Sequence, residues 1–275
     1  MIDFETILGN VRAGAPLVHN ITNYVTVNDC ANILLACGGS PIMSDDEREV
    51  EEITSICSGL NINIGTLNGR TIPSMFLAGK RANALGHPVL LDPVGAGASA
   101  LRTETAAKLI EEVRFTVIRG NISEIKALAQ GVSGTKGVDA NESDQVNADN
   151  LDSVISFARA FAEKTGAVVA ITGATDVIVD EQHACIINNG HPMMSRITGT
   201  GCMLSAMTTA FVTANPAQPF EAVCAAVIAM GLCGEIAYGR LSASDGNSTY
   251  RNDIIDAVYN LTAQQLRDGA KYELR

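Results

Sequence analysis

The chain has 275 residues, a length that suits one large α/β domain or two small ones. Hydrophobic residues make up 47% and aromatic residues only 4%, so Ala, Val, Ile and Leu must fill the core. The net charge is −11, and no cluster of Lys and Arg is present that could neutralise a phosphate backbone. This excludes nucleic-acid binding through a basic face.

The seven cysteines are odd in number and show no Cys-x-x-Cys spacing. This pattern favours reduced thiols in a cytoplasmic protein over a disulfide framework or a zinc site. The acidic N-terminal residues lack the basic segment and apolar run of a secretory signal. Segment 220–238 is the best candidate for a membrane span, but Glu221 and Glu235 interrupt it. We therefore predict a helix buried in the protein and no membrane partner.

Short apolar runs alternate with longer helical patterns along the chain. The predicted strands are 16–19, 40–43, 60–64, 88–92, 115–119, 167–172, 176–180 and 184–188. The predicted helices are 3–13, 23–37, 47–58, 69–85, 101–112, 121–130, 149–165, 201–214, 219–238 and 247–267. Several strands are continuously apolar, which indicates a mainly parallel sheet covered by helices on both faces. Right-handed crossovers would place most functional loops at the carboxyl edge of that sheet.

Two segments bear on the domain organisation. The strands 176–180 and 184–188 are separated by a short Glu-Gln-His loop, which predicts an antiparallel hairpin at an edge of the sheet. The polar, Gly- and Ser-rich segment 131–147 is predicted to be a surface loop within one domain. Residues 1–275 are therefore expected to form a single domain.

Residues 198–202 read Thr-Gly-Thr-Gly-Cys and lead directly into an apolar helical segment. Two glycines at the start of a helix let the backbone N–H groups turn outward together, and the helix dipole adds partial positive charge there. Such a site suits a phosphate, or the charge that develops during phosphoryl transfer. The alternative is a glycine-rich turn before a core helix, with Cys202 as a small buried residue.

Polar side chains stand at the ends of three predicted strands. Asp92 could hold water around Mg²⁺, or cap the turn that follows it. Asn121 and Glu124 have the spacing of a capping box, and Glu124 could also be a water-mediated Mg²⁺ ligand. Arg119 and Thr172 could contact nucleotide phosphates; otherwise Thr172 is a simple strand-to-turn junction.

The N-terminal part offers a place for a small substrate. Segment 18–28 is rich in side-chain amides, and Met43 ends a predicted strand with a polarizable thioether. The alternatives are that Met43 belongs to the core and that His19 is a hydrogen-bonded structural residue. The chain has four His and no His-x-x-x-His spacing, which argues against a zinc site.

Taken together and in order, these motifs resemble the hydroxyethylthiazole kinases of the ribokinase-like superfamily. The resemblance extends over residues 18–206 and rests on the segments VHNITNYVTVNDCANILLACGGSPIMSDD, LDPVGAGAS, VIRGNISEI, AITGATD and TGTGCMLSA. It implies a three-layer α/β/α fold with a mainly parallel central sheet and no separate lid domain. It also implies phosphorylation of 4-methyl-5-(2-hydroxyethyl)thiazole by ATP with Mg²⁺, in thiamine biosynthesis or salvage. A homotrimer with thiazole sites between neighbouring subunits is implied as well.

The resemblance assigns substrate and catalytic positions. Met43 and Gly199 match the thiazole-binding positions of the family, and Asn23 and Val25 match further contacts. The anion hole and the catalytic position correspond to Gly199, Thr200, Gly201 and Cys202. Most ribokinase-like enzymes carry Asp where this chain has Cys202, and Cys at that position favours the thiazole kinases over the related hydroxymethylpyrimidine kinases.

The resemblance also assigns the nucleotide and metal positions. Arg119 and Thr172 match positions that contact the ATP phosphates, and Asn121 begins the Asn-x-x-Glu pattern of the superfamily. Asp92 and Glu124 match the Mg²⁺ region.

Two opposing effects act on the pKa of the Cys202 thiol. A helix N-terminus lowers a thiol pKa, whereas a nearby triphosphate raises it. Because a loose phosphoryl-transfer transition state needs little early deprotonation of the alcohol, we expect Cys202 to be a modest base or a positioning group.

Other functions remain open at this stage. The first is a hydrolase or acyltransferase with Cys202 as nucleophile, which would need a histidine partner such as His183 or His191. The second is a non-catalytic nucleotide-binding protein on the same fold, and the third is a kinase of a related pyrimidine alcohol.

Overall fold

The strands of this protein come together in a single nine-stranded sheet in the order β2-β1-β3-β4-β5-β6-β7-β8-β9, in a computed structural model that describes residues 1–130 and 145–275. The strands are β1 (Leu17–Ile21), β2 (Ser40–Met43), β3 (Gly59–Asn63), β4 (Val89–Asp92), β5 (Val117–Gly120), β6 (Val168–Ile171), β7 (Asp176–Val179), β8 (Ala184–Ile187) and β9 (Tyr272–Leu274). Strands β2 to β6 in that order are parallel, and β7, β8 and β9 are antiparallel to their neighbours.

Helices cover both faces of the sheet. In the described part they are α1 (Phe4–Gly14), α2 (Val27–Cys37), α3 (Val50–Ile56), α4 (Thr71–Leu85), α5 (Ala100–Glu112), α6 (Ile122–Gln130), α7 (Leu151–Thr165), α8 (Thr200–Ala214), α9 (Pro219–Arg240), α10 (Asn247–Asn260) and α11 (Ala263–Gly269). A short 3-10 helix, Pro192–Arg196, precedes α8.

The strand residues alternate between two hydrophobic cores, which defines the three layers. Val117 packs with residues of α1, α2 and α8 to α11, whereas its neighbour Ile118 packs with residues of α3 to α7. Consecutive side chains of a strand point to opposite faces, so an apolar strand needs a helical layer on each side. The predicted α/β/α architecture with a mainly parallel sheet is confirmed.

Three element predictions need correction. The predicted helix 23–37 begins only at Val27, because the Asn23 side chain accepts backbone hydrogen bonds from Val25 and Thr26 and holds the chain in a turn. The predicted helix 247–267 is two helices, because the Thr262–Gln265 capping box starts a new one after Asn260.

The third correction concerns the sheet edge. The predicted hairpin of β7 and β8 is present and antiparallel, but β9 pairs with β8 and covers it. The prediction that the hairpin lies at the edge is therefore wrong. Most of the predicted loop 131–147 lies outside the described residues.

Helix α9 is long and apolar enough to cross a membrane by length and composition alone, yet 83% of its apolar window is buried inside the protein. It packs against α8 and α10 and against the face of β6 to β8. The prediction of a buried core helix is confirmed.

Candidate active site

The predicted site residues meet at the carboxyl ends of the parallel strands. Strands β3, β4, β5 and β6 are consecutive in the sheet, so Asn63, Asp92, Arg119 and Thr172 stand side by side at one edge. The N-terminus of α8 reaches the same edge, as its hydrogen bonds to β3 and β4 residues show. Five segments that are distant in the sequence thus share one site.

Helix α8 begins with a glycine that no other residue replaces easily. Gly199 is the N-cap and has φ +91°, in the left-handed region. A Cβ atom there would lie 2.4 Å from Cγ2 of Thr26, so both the backbone angle and the contact require glycine. The cap has no side-chain acceptor, which leaves the first-turn N–H groups of Thr200, Gly201 and Cys202 available to an anion.

The Cys202 thiol is held by two side-chain amides. Asn23 Nδ2 lies 3.1 Å and Asn63 Nδ2 lies 3.3 Å from Cys202 Sγ. Burial and the negative charge of Asp92 raise the pKa of the Cys202 thiol, so it is protonated at neutral pH. The other six cysteines are buried, whereas Cys202 is half-buried at the start of α8.

None of the hydrogen bonds in the described structure joins a histidine ring to Cys202. The ring of His183 bonds to Asp180, and Nδ1 of His191 accepts from the backbone of Met193. His19 is fully buried and bonds to Thr54 and the Ser44 carbonyl, which is the structural role considered for it. A protonated thiol without an adjacent base is a poor nucleophile.

The Asp92 carboxylate is fully buried at the end of β4. Its Oδ2 accepts from Ser205 Oγ at 2.7 Å, Asn63 Nδ2 at 2.9 Å and Arg119 Nη1 at 3.3 Å. Its Oδ1 is buried without a partner in the described structure. Burial raises the pKa of Asp92 despite these partners. The described hydrogen bonds of Asp92 join β3, β5 and α8, and do not cap the turn after β4.

Arg119 connects Asp92 to the next strand and to α8. Its Nη2 donates to Oγ1 of Thr172, at the end of β6. The guanidinium lies close to Gly201, where a Cβ atom would come within 2.7 Å of Nη1. The structure therefore brings Arg119, Thr172 and the first turn of α8 together, as a phosphate site requires.

Asn121 and Glu124 form the predicted capping box at the start of α6. The Asn121 side chain accepts from the backbone N–H of Glu124 at 2.9 Å, and Glu124 Oε2 accepts from that of Asn121 at 2.8 Å. Oε1 of Glu124 accepts from the N–H of Gly95 at 2.8 Å. Burial and the charge of Asp92 raise the pKa of Glu124 to about 7.

These residues fit a magnesium ion that is bound mainly through water and substrate phosphates. The described residues contain no group of three or more His, Cys, Asp or Glu side chains that could hold a metal. Mg²⁺ in phosphoryl-transfer sites keeps several waters and uses one or two carboxylates together with substrate phosphates. The unpartnered Oδ1 of Asp92 and the raised pKa of Glu124 both fit a nearby cation bound through water and phosphate.

Of the predicted substrate contacts, Asn23 bonds to Cys202 and Val25 lies two positions further along the same loop. The amide group of Asn23 is fully used: its oxygen accepts from Val25 and Thr26, and its nitrogen donates to Asn63 and Cys202. Val25 is 64% exposed in the isolated chain. Met43 is half-buried at the end of β2, and it packs against the core that contains α8.

Two residues of the site escaped the sequence analysis. Asn63 ends a buried strand that also contains Asn61, and Ser205 follows Cys202 by three positions on an apolar helix. A polar residue at a buried position of a strand was a usable signal for Asn63, because buried amides need partners. Ser205 carried no such signal, since a serine in a core helix often bonds to its own backbone.

The strand order and a site at the carboxyl ends of the parallel strands define a ribokinase-like kinase fold. The solved pyridoxal kinase of Staphylococcus aureus in complex with ADP superposes with a TM-score of 0.62 at 16% identity, over 94% of this chain and 97% of that chain. This likeness shows the fold. A solved hydroxyethylthiazole kinase of Pyrococcus horikoshii OT3 superposes with a TM-score of 0.87 at 34% identity, over 99% and 98% of the chains.

Sequence comparison identifies the family. The model of the hydroxyethylthiazole kinase family matches residues 8–264. The hydroxyethylthiazole kinase of Clostridium acetobutylicum is 68% identical over 266 residues, which is 97% of each chain. That of Ruminiclostridium cellulolyticum is 52% identical over 252 residues, covering 92% of this chain and 90% of the relative. The chain belongs to the hydroxyethylthiazole kinase family.

Proposed function

We propose that the protein transfers the terminal phosphoryl group of ATP to the hydroxyethyl alcohol of 4-methyl-5-(2-hydroxyethyl)thiazole, in thiamine biosynthesis or salvage. Membership of the family supports the substrate, and the solved relative from Pyrococcus horikoshii shares the fold over almost the whole chain. The observation that carries the chemistry is the convergence of Arg119, Thr172 and the uncapped first turn of α8 beside Cys202.

Arg119 and α8 would stabilise the moving phosphoryl group. The N–H groups of Thr200, Gly201 and Cys202 lie at the helix N-terminus and have no side-chain cap. The Arg119 guanidinium lies beside Gly201. Preorganised donors of this kind stabilise transition-state charge without reorganisation. Thr172, whose hydroxyl accepts from Arg119, would contact a phosphate of the nucleotide.

Cys202 would position the substrate alcohol more than it deprotonates it. Its thiol pKa is raised, so it carries a proton in the absence of substrates. A loose transition state puts little negative charge on the attacking oxygen and asks little of a base until late in the reaction. The alcohol would lie beside Sγ, between the first turn of α8 and the loop that contains Asn23.

Asp92 and Glu124 would hold Mg²⁺ through water and the nucleotide phosphates, and the ion would neutralise charge on those phosphates. The proposal includes Asn121 as the residue that keeps Glu124 in place, because each caps the other. It also includes Met43 and Val25 as apolar contacts of the thiazole ring.

A coupled assay of ADP release with Mg²⁺ tests the function. The panel contains the thiazole alcohol, a pyrimidine alcohol of similar size and a thiazole without the hydroxyethyl group. We expect turnover with the thiazole alcohol well above that with the pyrimidine alcohol, and only background ADP release without a hydroxyl group. Absence of turnover with the thiazole alcohol would contradict the proposal. Preference for the pyrimidine alcohol would identify the related kinase instead.

A further inference from the structure

The Asn63 side chain contacts both the thiol of Cys202 and the carboxylate of Asp92. Its Nδ2 donates to Asp92 Oδ2 at 2.9 Å and to Cys202 Sγ at 3.3 Å. Its Oδ1 accepts from the backbone of Gly65 at 2.9 Å and from Asn23 Nδ2 at 3.2 Å. Asn63 is 1% exposed, so no solvent competes for these bonds.

These four contacts fix the orientation of the amide. Rotating it by half a turn would place Oδ1 against the Asp92 carboxylate and Nδ2 against the N–H of Gly65. Both contacts would be repulsive, and buried polar groups without partners are costly. The two N–H bonds of Asn63 are therefore committed, one to the carboxylate and one to the sulfur.

The same contacts close a ring of side chains around the start of α8. Ser205, one turn after Cys202, donates to the same Asp92 oxygen that accepts from Asn63. Strand β3, strand β4 and helix α8 are thus joined through four polar side chains. Asp92 also accepts from Arg119. The hydrogen bonds of the ring therefore hold the Cys202 thiol at a fixed distance from the Arg119 guanidinium.

The sulfur accepts two N–H bonds in this arrangement, from Asn23 and Asn63. The S–H bond must then point away from both amides. We propose that Asn63 is a positioning residue for phosphoryl transfer, which holds the Cys202 thiol in one rotamer and at a fixed distance from Asp92 and Arg119. The expected effect on kcat rests on the proposed kinase function. The expected effect on the reactivity of the Cys202 thiol rests on the geometry alone.

Asn61 provides a matched control. It lies two positions earlier in β3, on the same face of the sheet, and it is 0% exposed. Its Nδ2 donates to Asn20 Oδ1 at 3.0 Å, and none of its described hydrogen bonds reaches Cys202 or Asp92. Asn61 makes one described side-chain hydrogen bond and its Oδ1 is buried without a partner, so its loss should lower stability less than loss of Asn63, and only Asn63 should affect the site.

The first experiment compares Asn63→Ala and Asn61→Ala by steady-state kinetics and thermal unfolding. Asn63→Ala should lower kcat on the order of 10-fold, with KM for the thiazole alcohol changed by less than about threefold. Asn61→Ala should change kcat by less than about threefold, with a smaller loss in Tm than Asn63→Ala. An equal fall in kcat for the two variants would overturn the proposal.

A double-mutant cycle then asks whether Asn63 acts through the thiol. In a Cys202→Ala background, Asn63→Ala should lower kcat by less than about threefold, because the group that it positions is absent. Full additivity of the two substitutions would overturn the proposal. Asn63→Ser serves where Asn63→Ala fails to fold, since it keeps a polar group at the buried position but lacks the amide that contacts Asp92 and Sγ.

Labelling of Cys202 by iodoacetamide at fixed pH is the readout that needs no turnover. Asn63→Ala, or Asn63→Ser, should slow the labelling by about threefold or more, because an N–H donor that favours the thiolate is lost while Asp92 remains. Asn61→Ala should leave the rate within about twofold. An unchanged rate would overturn the proposal even if the kinase assay succeeds. A slowed rate in a protein without thiazole kinase activity would leave the positioning of the thiol supported and refute only the proposed function.

Discussion

At the scale of single residues, the site contains a buried pair of opposite charges. Asp92 is fully buried, and Arg119 is the cation that faces it, at 3.3 Å. Arg119 also contacts Thr172 and rests on Gly201, so one guanidinium joins the carboxylate to the proposed phosphate site. The guanidinium would both stabilise negative charge and hold the neighbouring side chains in position. A neutral side chain could do neither.

Replacing Arg119 should therefore cost more activity than replacing Cys202. We expect Arg119→Met to lower kcat/KM for the thiazole alcohol by about 100-fold or more, since a preorganised cation is lost. Cys202→Asp keeps an acceptor for the amides of Asn23 and Asn63 and should retain clearly more activity. Arg114→Met, at an exposed arginine before β5, is the control and should stay near wild type. Loss with Cys202→Asp as complete as with Arg119→Met would refute the base or positioning role of Cys202.

Asp176 gives stability a pH dependence. Burial raises the pKa of this carboxyl from 3.8 to about 7, although the N–H of Gly173 donates to it at 2.8 Å. The folded protein therefore keeps a proton that the unfolded chain loses above pH about 4. Stability should fall as pH rises from about 4 to about 7, since the unfolded state binds fewer protons there.

Asp176→Asn removes this penalty and keeps an acceptor for Gly173. We expect the variant to gain about 1–4 kcal/mol relative to wild type on going from pH 4 to pH 8, measured by urea unfolding at each pH. Asp180→Asn is the control, because the pKa of Asp180 is lowered by its contacts with His183 and Gln182 and its effect should not have this sign. A difference between wild type and Asp176→Asn that does not vary with pH would contradict the prediction.

At the scale of elements, the conformation of the start of α8 determines the geometry of the proposed site. The left-handed φ of Gly199 aims the first turn of the helix at the strand ends, and Thr26 packs against the Cα of that glycine. Thr26 is itself held by the oxygen of Asn23. The loop before α2 and the N-terminus of α8 therefore support each other.

Gly199→Ala should disturb this junction. A Cβ 2.4 Å from Thr26 Cγ2, together with φ +91°, should lower the free energy of unfolding by about 1–3 kcal/mol and reduce turnover. Gly9→Ala is the control: Gly9 lies at an exposed position of α1, a Cβ there meets nothing within 4 Å, and alanine should stabilise the helix by about 0.5–1 kcal/mol. Urea unfolding measures both values. Equal stability for the two alanine variants would show that the junction tolerates a side chain.

At the scale of the whole molecule, the candidate substrate side of the site is open in the single chain. Tyr24 is 55% and Val25 is 64% exposed, although they follow Asn23, which contacts the Cys202 thiol. Apolar side chains beside a small-molecule site are normally covered. We propose that a neighbouring subunit covers these side chains, in the homotrimer with shared sites that the family resemblance implies.

The assembly should be visible in solution. Sedimentation velocity at micromolar concentrations is expected to give a species of three chains. Val25→Asp should weaken it, because a charge would be buried against the neighbouring subunit. Leu101→Asp changes a residue of similar exposure, 53%, at the start of α5 and is the control. A monomer that still phosphorylates the thiazole alcohol at the full rate would refute shared sites.

Features that depend on neighbours in the sequence were readable before the structure. The capping box of Asn121 and Glu124 joins residues three positions apart, and each of the strands β1 to β8 overlaps a strand predicted from a short, mainly apolar run. Strand β9 was missed because its pairing, not its composition, makes it a strand: Tyr272–Leu274 is short and partly polar, and it bonds to β8 almost ninety residues earlier.

Contacts between distant residues required the folded chain. The sequence was enough to establish the family, the layered α/β/α fold, and the strand ends and helix start that carry the chemistry, because these follow from local patterns and ordered motifs. It did not reveal that Asn63 lies between Cys202 and Asp92, or that Ser205 shares an oxygen with Asn63. Those partners are 29 to 139 positions apart, and the distance between them is set by sheet order and by the packing of α8, which no local pattern encodes.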